Sequence, residues 1–516
     1  FLWFFGHIDF FSWTSENLAR DLLLKFYSSF GAWALPPPAL PRPANTTKKE
    51  GKFVELTKKQ LIGGIAGVAA GLILAFMAPP EGLTPQGMIC AGLVVGSLIW
   101  MIFGTAKEFV VMMITYGLFI VTGCCTFTRG MGAFAGTTWW ITLTALIVGV
   151  VFAKSGLLNR LTLNILKRFP VTLKGQMIGI TAAGVIVSPL IPSGTARLAI
   201  AGPLVKDMSD NIGYEHGSKG ANALFSAFYT GWNLTSHMFL SASFNCYQII
   251  GFMPEGYEIS WTRWLTISLP WSIVVLVLTT LFCYKYYNPK DGKDLDKRYI
   301  VEKLEKLGSW GRGEKITMIL LIVALVFWIT ESYHGIAAAT VTLFVAGLLM
   351  LFKVITPKEM SDGLPMDLLI YFGLLAQFGG IMGDNGLNDF ISSKIGPILT
   401  PMMNSPWLFL PFLCVLVMAL RLVINSWVTT YTIFGVLLVP LCVSAGIHPF
   451  VAMFTVYVAI GVFYARWQNL PYITALAVAD GLTTHEKTIP YAVIYCITCF
   501  IGIAVCIPYW MMLGLI

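Results

Sequence analysis

Charge is scarce in this chain: Lys, Arg, Asp and Glu make up 12% of its 516 residues, about half the share in an ordinary soluble protein. So little charge cannot cover a water-exposed surface, which excludes a soluble globular fold. Histidine is scarcer still, at six residues, and none pairs with Cys, Asp or Glu at metal-ligand spacing. Walker motifs, nucleophile elbows and dinucleotide fingerprints are also missing, which argues against an ATP-driven pump and against an enzyme. The ten cysteines lie mostly inside apolar blocks and read as packing residues. The net charge of +8 is spread over loops between apolar blocks, so it points to loops at a lipid surface and not to nucleic acid.

What the chain does contain is long apolar blocks, and 56% of its residues are hydrophobic. Most blocks have about the 20 residues needed to cross a hydrocarbon core of about 30 Å. They predict an all-α, polytopic membrane protein with about 11 spans. Trp139, Trp140, Trp261, Trp264 and Trp310 mark block ends, where amphipathic rings favour the headgroup region. The blocks at 171-205 and 405-441 are too long for one simple crossing and carry polar interruptions, as re-entrant helical hairpins would. Residues 1-59 are expected to form an interfacial or disordered arm. Residues 60-286 hold a first repeat with the inner hairpin 171-205, residues 287-314 a cytoplasmic linker, and residues 315-516 a second repeat with the outer hairpin 405-441.

Basic residues set the expected orientation. Lys48, Lys49, Lys52, Lys58 and Lys59 precede the first span, and Lys154, Arg160, Lys167, Arg168 and Lys174 fall in a loop on the same side. This predicts a cytoplasmic N-terminus and an outside C-terminus, in a cell (plasma or inner) membrane.

The two halves resemble each other. The stretch from Gly149 to Leu157 answers the stretch from Gly379 to Leu387, and Trp232-Asn233-Leu234-Thr235 answers Trp467-Gln468-Asn469-Leu470 at breaks in two later spans. Ser193-Gly194-Thr195 stands ten residues before Pro203, as Thr430-Tyr431-Thr432 stands ten before Pro440. This order is that of an inverted repeat, with two hairpin tips and two broken helices at the midplane. Free N–H groups of half-helices there suit an anion. Asn425-Ser426 is the alternative tip of the second hairpin.

Arg197 costs several kcal/mol inside a membrane unless it is paired or faces water, and its guanidinium suits bidentate carboxylate recognition. Arg421 and Arg466 pose the same question in the second half, and Arg466, beside Asn469, is favoured to see substrate. Ser193, Thr195, Thr430 and Thr432 offer hydroxyls, as does Tyr431, while Asn233 and Thr235 sit at the first break. Gly194 lets backbones approach. Asp367 and Asp384 read as interfacial or capping residues, and His237 as a lone His beside the first break.

Over residues 60 to 516 the chain resembles the divalent-anion/sodium symporter (DASS) family of di- and tricarboxylate transporters. The resemblance is sharpest at Ile191-Pro192-Ser193-Gly194-Thr195-Ala196-Arg197, which looks like the family's Ser-Asn-Thr tip and is similar to its citrate/2-oxoglutarate/malate exchanger branch. It implies a homodimer in which each protomer has a scaffold and an elevator-type transport domain. It also implies a small carboxylate anion as cargo, carried by alternating access, and a first hairpin that opens inside with a second that opens outside. Sodium, the family's coupling ion, would then sit near Ser193, Gly194, Thr430 and Tyr431. Gly194 and Tyr431 replace both motif asparagines, however, so sodium-coupled symport and anion exchange both stand. A monocarboxylate, sulfate or another oxyanion is the alternative cargo; a channel or a membrane-embedded enzyme is the rival class.

Overall fold

The computed structural model describes residues 57–289 and 292–516. The arm expected over 1-59 lies outside them except for its last three positions. Among the described residues the chain is helical, without a strand. As far as residue 286 the main helices are α1 (Lys58–Phe76), α2 (Pro85–Phe103), α3 (Glu108–Val121), α4 (Thr137–Lys154), α5 (Leu157–Leu166), α6 (Leu173–Val187), α7 (Gly194–Ile212), α8 (Lys219–Trp232), α9 (Phe244–Gly251) and α10 (Trp261–Tyr286). From Arg312 onward they are α11 (Arg312–Ile329), α12 (Ala338–Leu351), α13 (Met366–Asp384), α14 (Leu387–Met403), α15 (Pro406–Leu420), α16 (Trp427–Ser444), α17 (Pro449–Ile460), α18 (Leu470–Val478) and α19 (His485–Met512).

Helices are what this composition must form in lipid, since each peptide group then finds its partner within its own segment. Among the described residues, eight helices are long and apolar enough to cross a membrane, and nine if α14 and α15, bent by 112° to each other, count as one. Two of the eight, α6 and α16, are arms of the expected hairpins. With those two arms set aside, the other six, the shorter apolar helices α3 and α12, α11 and the broken pairs α8/α9 and α17/α18 bring the crossings to about the eleven read from block lengths. Lipid-facing side chains stay apolar, as with Ile65, Ile73 and Phe76 on α1. Cys496 and Cys499 have C-x-x-C spacing but sit one turn apart on α19 as free thiols in the apolar interior, in keeping with packing.

Hydrogen bonds fix how the hairpins run. The first has its two open ends at the same place: Leu295 N donates to Val171 O (2.9 Å) just before α6, and Lys293 Nζ donates to Gly213 O (2.7 Å) just after α7. The second also begins and ends together, because Pro406 and Ile447 line one crevice with the C-terminal Ile516. Between these regions stands α19, whose 28 residues cover roughly 42 Å at about 1.5 Å each. Its first turn meets the linker side through Tyr287 Oη to Lys487 O (2.8 Å), and its far end meets the second hairpin's mouth through His448 N to Leu515 O (2.8 Å). The two hairpins therefore enter from opposite faces.

α5 and α14 follow the corresponding helices α4 and α13, each starting after a glycine with positive φ, Gly156 and Gly386. α5 is tied to the linker by a buried ion pair, Arg160 Nε to Glu314 Oε1 (2.9 Å), with Arg160 also donating to Gly308 O. Beside it, Lys154 Nζ lies 2.5 Å from Glu359 Oε1, and this ammonium holds the Glu359 carboxyl down to about 2. A depressed carboxyl stabilises the fold fully above the unfolded value of 4.5 and ceases to do so as pH falls through 2. The pair is more than a third exposed, so its worth is under about 1 kcal/mol. The stability advantage of the native protein over Lys154→Met, measured by thermal melting in detergent, should hold near pH 6 and fade between pH 4.5 and 2.

Candidate functional site between the hairpin tips

Each tip ends in a serine that caps the returning helix. Ser193 Oγ accepts from Ala196 N (3.3 Å) and Ser426 Oγ from Thr429 N (3.1 Å). An N-cap satisfies one of the helix's free donors and leaves the rest, with the positive end of the helix dipole, facing forward. Ser193, Gly194 and Thr195 are half-buried, as are Ser426 and Trp427, while Asn425 is exposed, so both caps stay accessible. Gly194 is needed for close approach, since a Cβ there would lie 2.7 Å from Asn233 Oδ1 at the first break.

Behind each cap sits a fully buried arginine. Arg197 lies in the first turn of α7. Its Nε donates to Trp232 O (3.1 Å), and its Nη1 to Ser188 O (3.2 Å), Ala242 O (2.5 Å) and Ile191 O. It thereby gathers carbonyls from the tip and from the broken helix. Arg421 closes α15, where Nη1 donates to Ile424 O (2.5 Å) and Nη2 to Gln468 O at the second break. The ion pairs among the described residues lie elsewhere, and neither arginine has a carboxylate partner. Two buried guanidinium charges thus stand without a counter-charge, an arrangement that costs several kcal/mol in the absence of an anion. Arg197 Nη2, Arg421 Nε and Gln468 Nε2 have no acceptor in the protein, and Tyr431 Oη has no partner. The unmet groups around the site are chiefly donors, which is what an anion requires.

A polar chain joins the two breaks. Asn233 Nδ2 donates to Tyr229 Oη (3.0 Å), Tyr229 Oη to Asn469 Oδ1 (3.3 Å), and Asn469 Nδ2 to Gly461 O (2.8 Å). Tyr457 bridges the same region from α17: its ring is 5.9 Å from Tyr431 and 4.1 Å from His237, and Cys246 Sγ is 3.6 Å from its hydroxyl. Tyr229→Phe cuts the chain in its middle. It should lower stability by about 1–3 kcal/mol, two hydrogen bonds lost at once, and slow transport more than it weakens substrate binding, read as a fall in maximal rate at little-changed half-saturation.

Of the residues singled out from sequence, Ser193, Gly194, Thr195, Arg197 and Asn233 do come together at the first tip and break. Thr235 is buried there, in the short turn past the break, its hydroxyl donating back to Gly231 O (2.7 Å) in the last turn of α8. In the second half the expected tip is displaced. Thr430, Tyr431 and Thr432 lie inside α16, not at its cap, and Thr430 and Thr432 donate to Ser426 O (2.8 Å) and Val428 O (2.9 Å). The tip is Asn425-Ser426, the alternative register. The reason is a one-turn offset: Pro203 stands ten residues after Ser193, whereas Pro440 stands fourteen after Ser426. Arg466 is exposed on the short turn before Asn469; the buried cation of this half is Arg421. Tyr229 and Tyr457 were missed, because aromatic residues within apolar helices give no sequence signal that separates a lining hydroxyl from core packing.

The fold is similar to that of the YdaH transporter of Alcanivorax borkumensis, with a TM-score of 0.50 at 14% identity, covering 75% of this chain and 88% of that one. Among curated proteins, YflS of Bacillus subtilis (strain 168) is 26% identical over 65% of this chain and 72% of its own length. Dicarboxylate transporter 1 of spinach chloroplasts (Spinacia oleracea) is 26% identical over 64% of this chain, and the match spans 60% of that protein. Inner membrane protein YbhI of Escherichia coli (strain K12) is 24% identical over 64% of this chain and 71% of its length. Residues 58–516 match the family described as the sodium:sulfate symporter transmembrane region, and the chain belongs to this family of membrane transporters.

Proposed function

We propose that the protein carries small dicarboxylates across its membrane by exchange, binding the anion between the Ser193 and Ser426 caps without a coupling cation. The observation that carries this reading is the pair of buried, carboxylate-free arginines, Arg197 and Arg421, one behind each cap. Two fixed positive charges favour a dianion over a monoanion, and two separate caps favour a molecule with an acceptor at each end. The naming of the spinach relative as a dicarboxylate transporter supports the same substrate class.

Sodium coupling, which the family's description suggests, fits these residues poorly. Tip carbonyls are the natural ligands of a hard cation, and at the first tip Ser188 O, Ile191 O and Ala242 O already receive Arg197 Nη1. Ile424 O and Gln468 O are likewise engaged by Arg421. The guanidinium groups take the place a coupling cation would fill, and a cation that never leaves cannot drive net uptake.

The linker-side face carries Lys154, Arg160, Lys167, Arg168 and Lys174, whereas the opposite face holds Glu255 and Glu258. On the positive-inside rule the linker face is cytoplasmic and the C-terminus lies outside. The division at 287-314, the elevator-type movement and the homodimer belong to this proposal on the family resemblance, and the mass of the particle in nanodiscs tests the last.

The test is counter-transport in proteoliposomes. Labelled succinate should enter vesicles loaded with unlabelled succinate or malate and not vesicles loaded with chloride. Sulfate and acetate should compete poorly. Uptake driven equally well by trapped sulfate would reassign the substrate class.

A further inference from the structure

Glu108 gives no signal of a role in the sequence, standing beside Lys107 at the head of an apolar block. It is the first residue of α3, and its Oε1 accepts from Ser426 Oγ at 2.5 Å and from Thr429 Oγ1 at 3.5 Å. These are the cap of the second hairpin's returning helix and a hydroxyl one turn further on. A carboxylate of the protein therefore occupies the hydroxyls that a substrate carboxylate would use. It also reaches across from a different part of the fold: α3 packs on α2 and α13, and the neighbouring Lys107 Nζ lies 3.7 Å from Asp367 Oδ2 at the start of α13.

We infer that Glu108 is a built-in surrogate for the substrate carboxylate, a positioning residue that holds the empty second hairpin and so makes exchange obligatory. The inference rests on the exchange reading above. With no anion bound, Glu108 bonds to the cap of α16 and fastens this hairpin to α3. A hairpin fastened in this way cannot carry an empty site across. An arriving dicarboxylate takes over Ser426 and Thr429, Glu108 lets go, and the loaded hairpin is released to move. Both carboxylates cannot accept from the same two hydroxyls at once, so substrate binding and tethering exclude each other. No proton or electron needs to be transferred; one charge-assisted hydrogen bond replaces another.

The experiment compares wild type, Glu108→Ala and Glu108→Gln in proteoliposomes preloaded with labelled succinate. Efflux is followed into anion-free medium and into medium containing succinate. A lost charge-assisted bond corresponds to about ten- to hundredfold in an equilibrium. Efflux from Glu108→Ala into anion-free medium should therefore rise by about tenfold or more over wild type, while succinate–succinate exchange changes by less than about threefold. Half-saturation for succinate should also fall, because an internal competitor has gone. Glu108→Gln keeps the size and loses the charge, and shows the same trend if Glu108→Ala does not fold. Variants that exchange normally and still require external anion would overturn the inference. Wild-type protein that itself releases succinate into anion-free medium would instead overturn the exchange reading on which it rests.

Discussion

Arg197→Ala should reduce dicarboxylate exchange by at least about a hundredfold, the scale of one lost charge-assisted contact of 1.5–3 kcal/mol together with the displaced tip. The guanidinium serves two ends at once. It supplies half of the positive charge behind the caps, and it holds the carbonyls of Ser188, Ile191, Trp232 and Ala242 in one cluster. Truncation takes this donor from the buried carbonyls of Ile191, Trp232 and Ala242, each worth about 1–3 kcal/mol, while Ser188 O still accepts from Ile191 N. The tip and the first break should loosen together, visible as a lower melting temperature in detergent. Arg197→Lys should not restore exchange, because one ammonium on a flexible stem cannot span carbonyls on several sides as a planar fork does. Free guanidinium ion added to Arg197→Ala should restore part of the exchange. Near-normal rates in Arg197→Ala would remove this residue from the site.

The second large effect concerns the helix pair on which the first tip rests. Where α6 crosses α8, the backbones touch: a Cβ on Gly231 would lie 2.4 Å from Thr181 O, and one on Gly184 would lie 2.3 Å from the carbonyl carbon of Gly231. Neither neighbour is the end of a flexible side chain, so the helices must separate. Trp232 Nε1, which donates to Ile180 O at 3.1 Å, would lose its partner in that movement. Overpacking of a core costs typically about 1–3 kcal/mol, and a clash with backbone belongs at the upper end. Gly231→Val should therefore yield little monodisperse protein, and Gly231→Ala should melt several degrees lower. Gly117→Ala, on a surface of α3 with nothing within 4 Å, should be neutral. Equal stability of all three variants would contradict the contact.

The same physics explains what sequence could and could not reveal. A spanning helix announces itself by about 20 apolar residues, and the hairpins of α6/α7 and α15/α16 overlap the two long blocks that carry polar interruptions but run past their expected ends, to Ile212 and Ser444. α5 and α14 escaped notice: α5 is short and flanked by Lys154, Lys167 and Arg168, and α14 carries Asp389, Lys394, Pro397 and Pro401, a pattern that resembles neither a span nor a hairpin arm. In the second hairpin, Thr430 and Thr432 looked as suited to a tip as Asn425 and Ser426 because hydroxyl and amide side chains favour caps, while a threonine one turn inside a helix can bond back to its own backbone. Only geometry separates the two. Arg197 was legible because any arginine at the centre of a hairpin needs a reason. Arg421 raised the same question but ranked below Arg466, because Arg421 precedes its cap by five residues whereas Arg197 follows its own by four, and aligned repeats do not bring them into register. Glu108 could not be recognised as a contact of Ser426 without the fold, for 318 residues separate them.

One measurement bears most directly on the claim that the two buried arginines stand where a coupling cation would. Succinate exchange should be followed in proteoliposomes with sodium replaced on both sides by N-methylglucamine, and then with sodium restored stepwise. The rate and the half-saturation for succinate should be the same at every sodium concentration. A rate that falls to background without sodium and rises saturably as it returns would contradict the assignment of Arg197 and Arg421 as resident cations.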